Sequence, residues 1–92
     1  MFTLRIEHAI SDFPTWRQAF DSIAEAREKA GVLSHRICRP VGDPRHLVIE
    51  LDFDAEENAD SFRQFLHNVV WANRGASPAL VGTPQTRILQ AC

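Results

Sequence analysis

The sequence has no paired cysteines, no membrane-length apolar run and no excess of one charge. Its two cysteines, Cys38 and Cys92, show no C-x-x-C spacing, so no disulfide framework is encoded and both are read as reduced thiols. No apolar stretch approaches the ~20 residues that span a bilayer. The opening residues carry neither a basic n-region nor an apolar h-region, so no membrane association and a cytoplasmic location are expected. Ten basic against 12 acidic residues leave a net charge of -2. That balance provides no electrostatic footprint for nucleic acid or for an anionic membrane, so small molecules or proteins are the expected partners. A G-x-G-x-x-G turn, a phosphate loop and an H-E-x-x-H helix are also missing, which leaves nucleotide and zinc-protease chemistry without support.

What is present is a 92-residue chain with 45% hydrophobic residues, enough for one small domain over 1–92 but short of a deep core. A partner surface is expected to supply the missing burial, hence a homo-oligomer. Phe2 to His8 alternates apolar and polar residues with period two, the pattern of a strand with one buried face. Asp12 or Ser11 can cap a helix that Pro14 enters in its first turn. Phe13, Trp16, Phe20, Ile23 and Arg27 then recur at helical spacing up to a stop at Gly31. A second strand over roughly 32 to 39 leads through Pro40 to Pro44 into the clearest strand of the chain, His46 to Phe53. Asp54 with Glu57 resembles a capping box that opens a second helix. Its predicted buried stripe is Ala59, Phe62, Phe65, Leu66, Val69 and Val70, and Gly75 and Pro78 close it. A short strand at Thr86 to Gln90 completes the order βαββαβ.

With right-handed crossovers this order is an α+β, ferredoxin-like sandwich: four antiparallel strands with two helices on one face. The first and third strands then lie at the sheet centre, with Leu4, Ile6, Leu47, Ile49 and Leu51 under the helices. The opposite face presents Thr3, Arg5, Glu7, Ser34, Arg36, Cys38, Val48, Glu50 and Asp52, a mixture of opposite charges that suits water or a second, self-complementary sheet. RNA-recognition domains share the order but stack bases on aromatic residues of that face, where this chain has arginines and acids. Metal-carrying domains of the same order place paired cysteines after the first strand, where this chain has His8-Ala9-Ile10-Ser11, so no metal is expected.

The runs Asp12-Phe13-Pro14-Thr15-Trp16 to Phe20-Asp21, Gly31-Val32-Leu33-Ser34-His35-Arg36, and Gly42-Asp43-Pro44 before a strand resemble small bacterial members of the dimeric α/β-barrel superfamily, antibiotic-biosynthesis-monooxygenase-like proteins among them. The resemblance covers nearly the whole chain and rests on pattern more than on a diagnostic motif. It implies a homodimer in which two sheets pack face to face, with a pocket between helices and sheet in each subunit. It also implies a small aromatic or polyketide-like ligand and oxygenation or proton transfer without a cofactor. A non-enzymatic binding or dimerisation module is the alternative. Heme-degrading relatives use a polar residue late in the first strand, an aromatic in the second helix and a histidine about one turn beyond it. His8 and Phe65 fit the first two places, but Asn73, Arg74 and Gly75 stand where the iron ligand would be, so heme is not expected.

His8 and His35 share the helix-facing side of the sheet, an environment that desolvates imidazole. Each is read either as a neutral, packed core residue or as a functional one. His35 is the candidate catalytic base, provided that the phase of its strand holds. His8 is a candidate for substrate binding. His46 and His67 read as solvated. Trp16, Phe20, Phe62 and Phe65 are explained by core packing, and the same positions also wall a pocket for a flat ligand. Trp71 differs, because about 100° per residue turns it opposite Phe62 and off the stripe. An exposed tryptophan there implies contact with the C-terminal loop, a second subunit or a ligand. Arg27 ends the first helix's apolar stripe, where it either snorkels to the rim or holds an anionic substrate.

Overall fold

A computed structural model describes residues 1–92. The chain runs β1 (Phe2–Ile10), α1 (Phe13–Ser22), α2 (Ala24–Lys29), β2 (Ser34–Cys38), β3 (His46–Phe53), α3 (Glu56–Phe65), a π-helical turn (Leu66–Val70) and β4 (Leu80–Gln90). All strand pairs are antiparallel, in the order β2-β3-β1-β4, and β1 and β3 occupy the centre as the sequence pattern requires. This is the expected ferredoxin-like α+β arrangement. Leu4, Ile6, Ile10, Leu47, Ile49, Leu51 and Phe53 point to the helices and are buried with Phe20, Ala59, Phe62, Leu66 and Val70 in one cluster. The open face holds Arg5 opposite Glu50, Thr3 opposite Asp52, and Arg36 opposite Glu50 from the other side.

Asp12 is the cap of α1: its carboxylate accepts from the Thr15 amide at 3.0 Å, with Pro14 inside the first turn. The helix expected to run unbroken to Gly31 instead breaks at Ile23. No proline or glycine marks the break. Two side chains take carbonyls that an α-helix would need: Ser22 Oγ donates to Ala19 O at 2.6 Å, and Arg27 Nη1 donates to Phe20 O. Gly31 does end α2, in the left-handed region at φ +91°, where any side chain would be strained.

Three other expectations are corrected. The N-cap of α3 is Ala55, without a side-chain bond, so Asp54 and Glu57 form no capping box. β4 is 11 residues long and starts at Leu80. A register shift lies between Glu7 and Ala9, and the β4 residues opposite it include Gly82 at φ +75° and Pro84, so strand-breaking residues sit where the ladder is already interrupted. Finally, α3 passes into a π-turn, with the Trp71 amide donating to Leu66 O at 2.7 Å across five residues. Five residues wound at roughly 4.4 per turn lag an α-helix by about 90°. Val69 therefore leaves the buried stripe and is exposed, while Trp71 swings back toward the core and is half-buried.

Candidate functional site

Between the sheet and the helices lies an apolar cavity of about 50 Å³. β1 and β3 supply Ile6, His8, Ile49 and Leu51 as its floor; α1 and α2 supply Trp16, Ala19, Phe20 and Arg27. Phe62, Leu66, Val70 and Trp71 close another side, and Ala76, Ser77 and Leu80 fold over from the segment before β4. Its volume accommodates one or two waters and is far below the ~300 Å³ of a preformed drug-sized site. A larger ligand requires movement of the aromatic side chains. Ser77 ties down the covering segment, its hydroxyl lying 3.0 Å from Val70 O and 3.1 Å from Asn73 O.

His8 is the titratable group of this cavity. It sits in β1 at the register shift with β4, the kind of irregularity that re-aims a side chain, and is 5% exposed. Its Nδ1 lies 3.0 Å from the Ala9 carbonyl oxygen. A carbonyl only accepts, so Nδ1 is assigned the proton, and Nε2 of the neutral ring keeps a lone pair. Nε2 has no protein partner, yet no unpaired polar side-chain atom is sealed from solvent, so Nε2 opens on accessible space. Burial lowers the His8 pKa below the usual 6.5, outweighing the upward pull of the Ala9 bond; nearby His46 lowers it further.

A ladder of rings runs from His8 along α1. The His8 and Trp16 ring centroids are 6.3 Å apart, those of Trp16 and Phe20 are 5.0 Å apart and stacked, and the Arg27 guanidinium lies 3.6 Å from the Phe20 centroid. Arg27 does not reach the rim: it is 7% exposed. Trp71 meets His67 edge to face at 4.8 Å.

Of the residues singled out in the sequence, His8, Trp16, Phe20, Phe62 and Trp71 converge on the cavity; Phe65 and His35 do not. Phe65 stacks on Phe62 at 5.7 Å on a different side of the helix layer. His35 has the expected phase, opposite Leu51, but β2 is an edge strand that the helices cover poorly. Its ring is exposed and touches Phe20 by an edge at 5.3 Å. His35, the candidate base of the sequence, therefore does not line this cavity, and Leu33 on the same side of the strand is exposed as well. Ala19, Ala76, Ser77 and Leu80 were not signalled by the sequence, since small and loop residues carry no periodicity. No three His, Cys, Asp or Glu side chains converge on a point that a metal could share, and both cysteines are unpaired and exposed.

On the open face, Arg36 reaches Glu50 at 2.5 Å and Arg5 lies 3.9 Å from the same carboxylate. Thr3 and Ser34 donate to Asp52 at 2.6 and 2.7 Å, which holds its pKa below the ordinary carboxylate value. Arg87 stands opposite Arg5 without an acidic partner of its own.

No protein-family model and no curated protein matches the chain. Solved structures do. A Nitrosomonas europaea protein assigned by name as an antibiotic biosynthesis monooxygenase superposes with a TM-score of 0.71 at 14% identity, covering 99% of this chain and 98% of its own. The monooxygenase from the ActVA-Orf6 gene of Streptomyces coelicolor, solved with nanaomycin D, gives 0.64 at 14% identity over 99% and 87%. A dimeric ferredoxin-like protein from an uncultured marine organism gives 0.63 at 10% identity over 99% and 94%. The chain thus has the fold of the antibiotic-biosynthesis-monooxygenase-like, dimeric ferredoxin-like proteins, and it has that fold over essentially its full length.

Proposed function

We propose that the protein is a homodimer that binds a small aromatic or polyketide-like molecule in the helix-side cavity and carries out cofactor-independent oxygenation or proton transfer on it. The observation that carries this is His8: a neutral imidazole, with Nε2 free and open to space, in a site otherwise almost wholly apolar. Such a group can take a phenolic proton. The resulting phenolate, screened from water by Trp16, Phe20 and Trp71, is electron-rich enough to react with oxygen. In an anthrone-like substrate a CH₂ becomes C=O, one oxygen atom staying on carbon and the other leaving as water with the two hydrogens. The base is thereby assigned to His8 rather than to His35. Dimerisation through the open face agrees with its balanced charges: Arg5, Arg36 and Arg87 against Glu7, Glu50 and Asp52.

A binding module without turnover is the second reading, favoured by the small size of the cavity. Native mass spectrometry of freshly purified protein tests the shared part: a dimer retaining one small molecule per chain supports a binding role. Oxygen uptake with naphthol- and anthrone-like phenols separates the two, since the enzyme consumes oxygen and the module does not.

A further inference from the structure

We infer that the cavity's ligand carries a carboxylate, and that Arg27 is the residue that selects it. The inference deepens the cavity reading above and rests on it. Arg27 is the one permanently charged side chain among the cavity residues, and only 7% of it is exposed. Buried cations normally have a carboxylate against them, because an unpaired one is expensive to desolvate. No carboxylate oxygen lies within 4.0 Å of this guanidinium. Asp21, the acid whose field it feels, is already engaged by Arg17 at 3.2 Å. The α1 break explains one of its five donors, Nη1 on Phe20 O, and the Phe20 ring covers one face of the group. The remaining N–H groups have no protein partner and none is sealed from solvent.

His8 does not offset this charge, because burial favours its neutral form. The site is therefore an apolar slot whose wall includes one positive charge that no carboxylate contacts, a planar guanidinium fork whose Nε and Nη2 have no protein partner and are not sealed from solvent. A carboxylate fits that fork in bidentate fashion, with two parallel N–H···O bonds. The aromatic body of the same molecule would lie along the Trp16 and Phe20 rings.

The test compares acids with their esters on the intact protein. Benzoate and 2-naphthoate, each beside its methyl ester, are titrated at pH 7.5, with emission of Trp16 and Trp71 as the signal. The acid should bind at least tenfold more tightly than its ester to the wild type, Arg27→Met should abolish that preference, and Arg27→Lys should retain part of it. Equal or better binding of the esters to the wild type overturns the carboxylate assignment and leaves the cavity reading standing; binding of neither overturns both. A preference that survives in Arg27→Met places the anion elsewhere and also refutes the assignment. Should Arg27→Met fail to fold, the wild-type ratio and the Arg27→Lys ratio decide.

Discussion

Acid should destabilise the fold through His8, and replacing this residue should remove that sensitivity. Burial holds the folded-state pKa of His8 below the 6.5 of an exposed histidine. Around and below pH 6.5 the unfolded chain takes up a proton that the folded chain resists, so stability falls as pH drops through 6.5 toward the lowered folded value, and the slope from this group fades out within about one pH unit above 6.5. The largest possible effect follows from a native His8 that stays neutral throughout. At pH 5.0 the unfolded histidine is almost fully protonated, and the loss reaches about 2 kcal/mol. With a urea slope of roughly 1 kcal/mol/M for a chain this small, that is a midpoint shift of up to roughly 2 M. Urea unfolding of the wild type and of His8→Gln at pH 7.5 and 5.0, at one protein concentration because an oligomer's stability depends on it, measures the difference. The wild type should lose more stability on acidification than the variant, the excess lying within that ceiling. Carboxylates such as Asp52, whose lowered pKa also favours the fold at higher pH, act equally in both and cancel. An identical acid loss in the two proteins would show that His8 is not desolvated as described.

Further tests address the corrected elements and the open face. In a Trp16→Phe background, Trp71 emission should be blue-shifted relative to a solvated indole. Deleting exposed Asn68, which restores the α-helical register, should move it to the red; an unchanged spectrum would deny that the π-turn places this ring. His35→Leu should leave any turnover intact and lower the melting temperature little, because the ring is exposed and touches Phe20 only by an edge; a large loss of turnover with the fold retained would return the catalytic role to His35. Glu50→Arg removes the hydrogen-bond acceptor of Arg36 and the ion-pair partner of Arg5 and adds a third cation beside them, so sedimentation should show monomer or aggregate. A stable dimer would count against face-to-face sheets.

The sheet was legible because its two central strands alternate cleanly and the βαββαβ order admits few topologies. The phase of β2 was legible too, since His35 does lie opposite Leu51. What periodicity does not convey is coverage: β2 is an edge strand, and of its inward side chains His35 is exposed and Ile37 only partly buried. Trp71 and Val69 were misplaced for one shared reason, the π-turn, which depends on packing rather than on any residue preference and shifts every later side chain by about a quarter turn. Of the two readings of Arg27, snorkelling to the rim and holding an anion, the first rested on the usual behaviour of a charge at the end of an apolar stripe. The break at Ile23, made by Ser22 and Arg27 taking carbonyls, draws it inward instead. The upstream half of β4 was concealed by Gly82 and Pro84, which the β1 irregularity beside His8 tolerates. Both residues that give the cavity its chemistry, His8 and Arg27, thus owe their positions to interruptions of regular structure.

Oxygen consumption by wild type and His8→Gln, with the same phenol panel at pH 7.5, tests whether the cavity's imidazole is a general base. If His8 is the base, the wild type should show saturable uptake with at least one phenol and His8→Gln a loss of roughly 100-fold or more, the scale of a lost general base, with the circular dichroism spectrum unchanged. Undiminished uptake in folded His8→Gln, or no uptake with any phenol, would contradict that role.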